Sequence, residues 1–280
     1  MTTTKATTQL ERISQFEYPA WLMRFPKLIY ISYAINYFFQ YRKWYVMPAL
    51  KHLLEIQQSG TWIDVGCGEG QYLVPLSRKF PEWKCIGMDF KLSNILFLER
   101  MRTNTNIELV QADIETIQEK NKADIISSIG VLQYIENDSK ALQNLYHLLK
   151  PQGKLILYLP VNGTLHTPFY KKLLDRYEHY EKVNDRKRIY TTEELKAKLT
   201  EAGFAIDDTV YTYGYWGRIS HEITNSLMLL ATSAHWLARI AASLVLILST
   251  PFILLMMALD YSRSHSSGNG LLLLASKPGF

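Results

Sequence analysis

The chain has 280 residues, 48% hydrophobic and 20% charged, with a formal net charge of +5. That apolar content excludes a generally disordered chain and suits one large domain or a core with additions. The 2 cysteines, Cys67 and Cys85, offer neither a disulfide framework nor a metal-ligand spacing, which points to a reducing, cytoplasmic setting with no metal.

Met1–Gln9 is polar and Thr-rich and lacks the apolar stretch of a signal peptide. Tyr18–Leu54 interleaves aromatic rings, Tyr30, Tyr33, Tyr37 and Tyr41 at helical spacing among them, with Arg24, Lys27, Arg42, Lys43 and Lys51. Such a segment packs onto a sheet, caps an acceptor pocket, or lies at a membrane interface, where rings sit at headgroup depth and cations meet anionic lipid.

Thr61–Gly70 (T-W-I-D-V-G-C-G-E-G) then reads as a strand ending in Asp64, with Gly66, Gly68 and Gly70 in the turn and a helical stretch over Gln71–Phe80. Glycines serve where backbone takes positive φ or lies flat against a ligand, and the helix start suits an anion. Lys84–Met88 reads as a second strand ending in Asp89, Asn106–Gln111 as a third leading to Asp113 and Ile114, and Ala123–Ser127 as a fourth running into Ile129. A helix over Ser139–Leu149, a turn at Pro151–Gly153 and a fifth strand over Lys154–Leu159 follow. This alternation implies βαβ units and a parallel sheet.

A polar helical insert spans about 161–190. Thr191 to Glu194 has the spacing of a capping box for a helix reaching Ala202, and Ala205–Tyr213 reads as a sixth strand. Ile223–Leu259 carries only His235 and Arg239 as ionisable groups, and Ile240–Leu259 is long enough to span a bilayer core. A last strand is expected within Gly268–Ser276.

The glycine loop with Asp64, Asp89 and Asp113 at successive strand ends resembles the class I S-adenosylmethionine (SAM) methyltransferases. The resemblance implies an α/β, Rossmann-like seven-stranded sheet with its last strand antiparallel. To this are added an N-terminal aromatic helical cap (1–50) and a hydrophobic helical insertion (223–262), around core segments 51–222 and 263–280. It also implies SAM as cofactor: the loop Asp64, Gly66, Gly68 and Gly70 cradles the methionine end and Asp89 holds the ribose hydroxyls. Asp113 meets the adenine amino group, and Phe90, Ile114 and Ile129 supply apolar contacts. The G-x-G-x-G spacing departs from that of a nicotinamide-binding loop.

If the last strand returns to the sheet, Ile223–Leu259 cannot cross a membrane once. It is then a hairpin entering one leaflet, bent near Ser249–Pro251, an interfacial anchor, or an apolar lid. Peripheral contact with the inner face of the membrane is expected. The fourth strand's Ser128-Ile129-Gly130-Val131 lacks the motif of nucleobase methyltransferases, so a hydrophobic small-molecule or lipid acceptor is expected rather than nucleic acid. O-methylation is the expected transfer, with Tyr134, His166 and His221 as candidate catalytic groups and Glu222 beside them. A non-catalytic SAM-binding membrane adaptor of the same fold is the alternative.

Overall fold

The computed structural model describes residues 28, 31, 37–101, 106–176, 186–231 and 236–279. The rings Tyr18, Trp21, Phe25, Tyr30 and Tyr33 of the expected cap lie outside these residues.

Apolar runs too continuous for a half-solvated sheet become strands buried on both faces. β1 (Gly60–Val65), β2 (Trp83–Asp89), β3 (Ile107–Gln111), β4 (Ala123–Ile129) and β5 (Leu149–Pro160) are parallel, and β6 (Ala205–Thr212) forms the far edge. β7 (Gly270–Ser276) inserts antiparallel between β5 and β6, completing the order β3-β2-β1-β4-β5-β7-β6. The chain therefore does return to the sheet after its apolar segment.

Alternate residues feed two cores. On one face α1 (Arg42–Gln57), α2 (Leu73–Lys79) and α3 (Leu92–Met101) bury Leu50, Leu54, Leu73 and Leu98 against Trp62, Ile125 and Ile156. On the other, α4 (Asp138–Leu148) and α6 (Thr192–Glu201) bury Leu142, Leu145, Leu195 and Leu199 against Ile63, Ile126, Leu155 and Leu157. The Thr191 hydroxyl caps α6 by accepting from the Glu194 amide at 3.2 Å. Because α1 ends where β1 begins, its first turn, with Arg42, lies over the carboxyl ends of the strands.

The expected turn at Pro151–Gly153 lies inside β5. Ala123 pairs with Leu149 and Ile125 with Lys154, so the turn residues form an excursion within one long strand, with Gln152 at φ 64°.

The polar insert contributes α5 (Pro168–Arg176). The apolar insertion is two helices, α7 (Tyr215–Ala231) and α8 (Trp236–Tyr261). It starts at Tyr215 rather than Ile223. α8 continues through Pro251 as one helix, so the hairpin does not reverse there and its two arms are α7 and α8. The Thr250 hydroxyl donates to the Leu246 carbonyl at 2.8 Å, one turn back, beside the donor that proline removes. At 26 residues α8 is about 39 Å long. Its most apolar window has mean hydropathy 2.4 and is only 17% buried, with Ile247, Leu248 and Phe252 each about two-thirds or more exposed. By length and composition α8 could cross a membrane. The hairpin leaves from the carboxyl end of β6 and re-enters at β7, so both its feet stand on one edge of the sheet.

Candidate active site

The site begins at the β1 carboxyl end, next to β4, where the strand order reverses and α/β sheets open a crevice. Gly66 has φ 71° and its amide donates to the Met88 carbonyl at 2.7 Å, which folds the loop back onto β2. A Cβ on Gly66 would lie 2.2 Å from a Val131 methyl, whereas one on Gly68, at φ 54°, would meet none of the described residues within 4 Å. The loop is thus packed beneath Gly66 and open above Gly68, a cradle that a side chain would fill.

Asp64 is buried between strands. Its Oδ1 accepts from the Ser127 hydroxyl at 2.6 Å, and Ser127 in turn accepts from the Trp62 indole at 2.9 Å. Its Oδ2 has no hydrogen-bond partner among the described residues. Burial pushes the Asp64 carboxyl up to about 7, against the Ser127 bond and with the help of the Asp89 charge. Asp89 accepts the Gly68 amide at 2.9 Å on Oδ2 and the Lys91 amide at 2.9 Å on Oδ1, which fixes its carboxylate beside the cradle. Each oxygen keeps acceptor capacity for a ribose diol.

Asp113 is exposed, and its Oδ1 accepts the Glu115 amide at 2.9 Å in a side-chain turn. Phe90 stands 64% exposed beside it in the sheet order, its carbonyl bound by Gln111. The Ile114 side chain is buried in the main core cluster with Ile63, Val65 and Met88, and Asn144 holds its carbonyl at 2.6 Å. Ile129, at the end of β4, is partly buried against the opposite core, ahead of the Gly130 turn.

The expected catalytic groups sit on three different elements. Tyr134 ends a 3-10 turn (Leu132–Tyr134) and is 40% exposed. His166 is exposed on the loop before α5, its ring against Tyr215. His221, on α7, accepts or donates with Asn225 at 2.8 Å and packs against Tyr213. Burial pulls the His221 imidazole down to about 4, so it is neutral at pH 7. Glu222 is not available as a base: its oxygens accept the His166 amide at 2.8 Å and the Thr167 amide and hydroxyl at 2.7 and 2.6 Å. It ties α7 to the start of α5.

Sequence reasoning missed Arg42 as a site residue. A Cβ on Gly130 would lie 3.5 Å from its guanidinium, and its charge acts on the phenols of Tyr72, Tyr213, Tyr158 and Tyr134. Among the described residues no carboxylate pairs with it. The only sequence signal was its place among the cations of the aromatic segment. Among the described residues no cluster of His, Cys, Asp or Glu could hold a metal.

The "Methyltransferase domain" family profile matches residues 38–209, more than half of the chain. The chain is 26% identical over 180 residues to trans-aconitate 2-methyltransferase of Escherichia coli strain 55989, covering 64% of this chain and 70% of that one. It is 28% identical over 102 residues to malonyl-[acyl-carrier protein] O-methyltransferase of Priestia megaterium, covering 36% and 37%. The second alignment thus spans little more than a third of that relative. The [4+2]-cyclase SpnF superposes with TM-score 0.55 at 18% identity, over 83% of this chain and 82% of that one, which speaks for the fold alone. Other solved chains of this fold hold SAM or S-adenosylhomocysteine. The open cradle above Gly68, the half-used carboxylate of Asp89 and the profile match agree: the chain belongs to the methyltransferase-domain family of class I, SAM-dependent enzymes.

Proposed function

We propose that the protein transfers the methyl group of SAM to an oxygen of a hydrophobic small-molecule or lipid-like acceptor at the cytoplasmic surface of a membrane. The observation that carries this reading is the exposed apolar helix α8 of the α7–α8 hairpin, which leaves the sheet from the carboxyl end of β6, the end of the parallel strands at which the cofactor cradle also lies. A helix apolar on its outward face needs a cover, and the described residues supply none. A lipid leaflet does, and it also holds apolar acceptors.

Bound SAM supplies a methyl group activated on a sulfonium. The cradle above Gly68 receives its methionine part, the Asp89 carboxylate holds the ribose hydroxyls, and Asp113 with Phe90 receives the adenine. Asp64 braces β1 against β4 through Ser127 and so keeps the loop in register with the Gly130 turn. The remaining work is alignment of the acceptor and exclusion of water. An acceptor that arrives already ionised needs no general base. That agrees with a low-affinity His221 and a Glu222 whose oxygens are engaged.

The test uses the full chain, methyl-labelled SAM and lipid extracts of cells with and without the gene. Label in a lipophilic product, with the protein floating on anionic phospholipid vesicles in high salt, is the expected result. Cofactor binding without methyl release would instead favour the SAM-binding adaptor. Protein that stays in solution with vesicles present would overturn the membrane assignment.

A further inference from the structure

We infer that the rim around the carboxyl ends of β4, β5 and β6 is a second membrane-docking face, which presses onto an anionic leaflet and opens the crevice directly to the bilayer. This goes beyond the anchoring role of α8 and rests on the proposed membrane reading.

The rim consists of the turn after β4, the loop after β5, the stretch leading to Tyr190, and the starts of α5 and α7. Leu165, Phe169 and Ile189 on it are each about half exposed, and fastened neighbours hold them outward. Before Leu165, the Thr164 carbonyl accepts from Asn269 at 3.2 Å; after it, the His166 amide donates to Glu222 at 2.8 Å. Ile189 stands between Arg188 and Tyr190, which both bind the Asp138 carboxylate, at 2.7 and 2.8 Å. Phe169 precedes Tyr170, whose buried ring accepts from Asn225 of α7 through its hydroxyl at 3.2 Å. These side chains are therefore set in water by a fixed backbone.

Single exposed apolar side chains are ordinary, and contiguity is what marks a surface. The Lys187 amide donates to the Gln133 carbonyl at 2.9 Å, which sets Ile189 near the turn that ends in the exposed Tyr134. The Asn162 amide donates to the Tyr190 carbonyl at 2.8 Å, joining the same stretch to the Leu165 loop. The His166 ring lies 5.2 Å from the exposed ring of Tyr215, in the first turn of α7. Along α7 the exposed Met228 follows Asn225 by one turn, so the patch continues onto the hairpin. The opposite end of the sheet is polar: its turns expose Gln58, Ser59, Lys120, Asn121, Lys122 and Gln152.

Chemistry selects the partner. Lys171 and Lys172 stand exposed on α5 beside Phe169, and Glu136, the exposed acid of the turn after β4, is taken by Lys187 at 3.3 Å. Rings and aliphatic side chains among cations suit the headgroup layer of anionic lipid. With the rim docked, bulk water is excluded from the mouth, and an apolar acceptor passes from leaflet to crevice without crossing it.

The experiment uses the full chain and vesicles of phosphatidylcholine with phosphatidylglycerol. A nitrobenzoxadiazole label, whose emission rises on leaving water, is attached to Leu165→Cys, Phe169→Cys, Ile189→Cys, Leu248→Cys or Gln152→Cys; the native Cys67 and Cys85 are buried. Vesicles should raise emission severalfold at the rim positions and on α8, and leave it unchanged at Gln152→Cys. A response on α8 with silence at the rim overturns this inference and leaves the hairpin's membrane contact standing. Silence at every position removes the membrane reading itself. A rise at Gln152→Cys as well shows non-specific adsorption and also overturns the inference. The unaltered chain gives a second readout that needs no variant to fold. Vesicles should slow acetylation of Lys171 and Lys172 severalfold and leave that of Lys120 and Lys122 unchanged, by mass spectrometry. Equal protection of the two pairs, or protection of neither, overturns the docking face.

Discussion

The Tyr41 hydroxyl donates to Asp260 Oδ2 at 2.8 Å, joining the residue before α1 to the last turn of α8 across 219 positions. The same carboxylate oxygen accepts the Gly214 amide at 3.0 Å, and the His265 ring lies 3.3 Å away. One buried acid therefore fastens both feet of the hairpin to the residue next to Arg42. Burial and the neighbouring Tyr45 and Asp260 drive the Tyr41 phenol far above its usual value, so it stays a donor. Asp260→Ala should cost about 3 kcal/mol, within the range for removing bonds to a buried charge and leaving donors orphaned. Thermal unfolding in detergent measures it. Asp260→Asn, which keeps one acceptor, should cost less, and equal losses in both would show that packing rather than hydrogen bonding holds the joint.

The two glycines of the loop should fail differently. Ala at Gly66 collides with Val131 at 2.2 Å and should lower the melting temperature before cofactor binding is even at issue. Ala at Gly68 meets open space and costs only the left-handed backbone penalty, about 1–2 kcal/mol. Its methyl group should instead intrude on the cradle, leaving a folded protein with S-adenosylhomocysteine affinity reduced tenfold or more. Calorimetry on a folded Gly68→Ala variant with unchanged affinity would move the cofactor elsewhere.

Asp64 and His221 should pull stability in opposite directions between pH 4 and 7. Asp64 has a folded value near 7, above the roughly 3.9 of the free side chain, so the folded state holds more protons and stability is lost as pH rises. His221 has a folded value near 4, below the roughly 6.5 of the free imidazole, so stability is lost as pH falls. Each slope amounts to about 2–4 kcal/mol over the window, and the two largely cancel in the wild type. Asp64→Asn should make stability rise with pH, and His221→Gln should make it fall, in denaturant titrations from pH 4 to 8. Parallel curves for all three proteins would show that neither group titrates out of range.

Much of the core was legible because it is written locally. Asp64, the three glycines and Asp89 fall where strand runs end, and β7 could be placed because Gly268–Ser276 resembles the last strand of the methyltransferase family. What escaped depends on distant partners. α7 starts at Tyr215, ahead of the apolar run, because Arg218 is taken up by Tyr213, Thr164 and Ser267, and Glu222 by the loop at His166. No periodicity reveals such pairings. Arg42 looked like one interfacial cation among five, and only α1's antiparallel course beside β1 carries it over the strand ends.

The hairpin's role in membrane contact is best tested by changing its surface and sparing its root. Ile253, Met257 and Asp260 of α8 pack with Tyr41, so replacing the whole run by a linker would unfasten the cap as well as remove apolar area. Ile247, Leu248 and Phe252 are 67%, 74% and 68% exposed and can be altered without that loss. Serine at all three removes side chains worth about 1.5–3 kcal/mol each when buried in lipid. Summed, that is enough to shift partitioning onto vesicles by more than a hundredfold. The triple variant should fold, bind S-adenosylhomocysteine as the wild type does, and remain in the soluble fraction during flotation. High salt should not mimic the effect, since it screens charge within a Debye length of about 10 Å at 0.1 M and leaves apolar burial intact. A triple variant that still floats, or a wild type released by salt alone, would place the membrane contact on the cationic N-terminal segment instead of on α8.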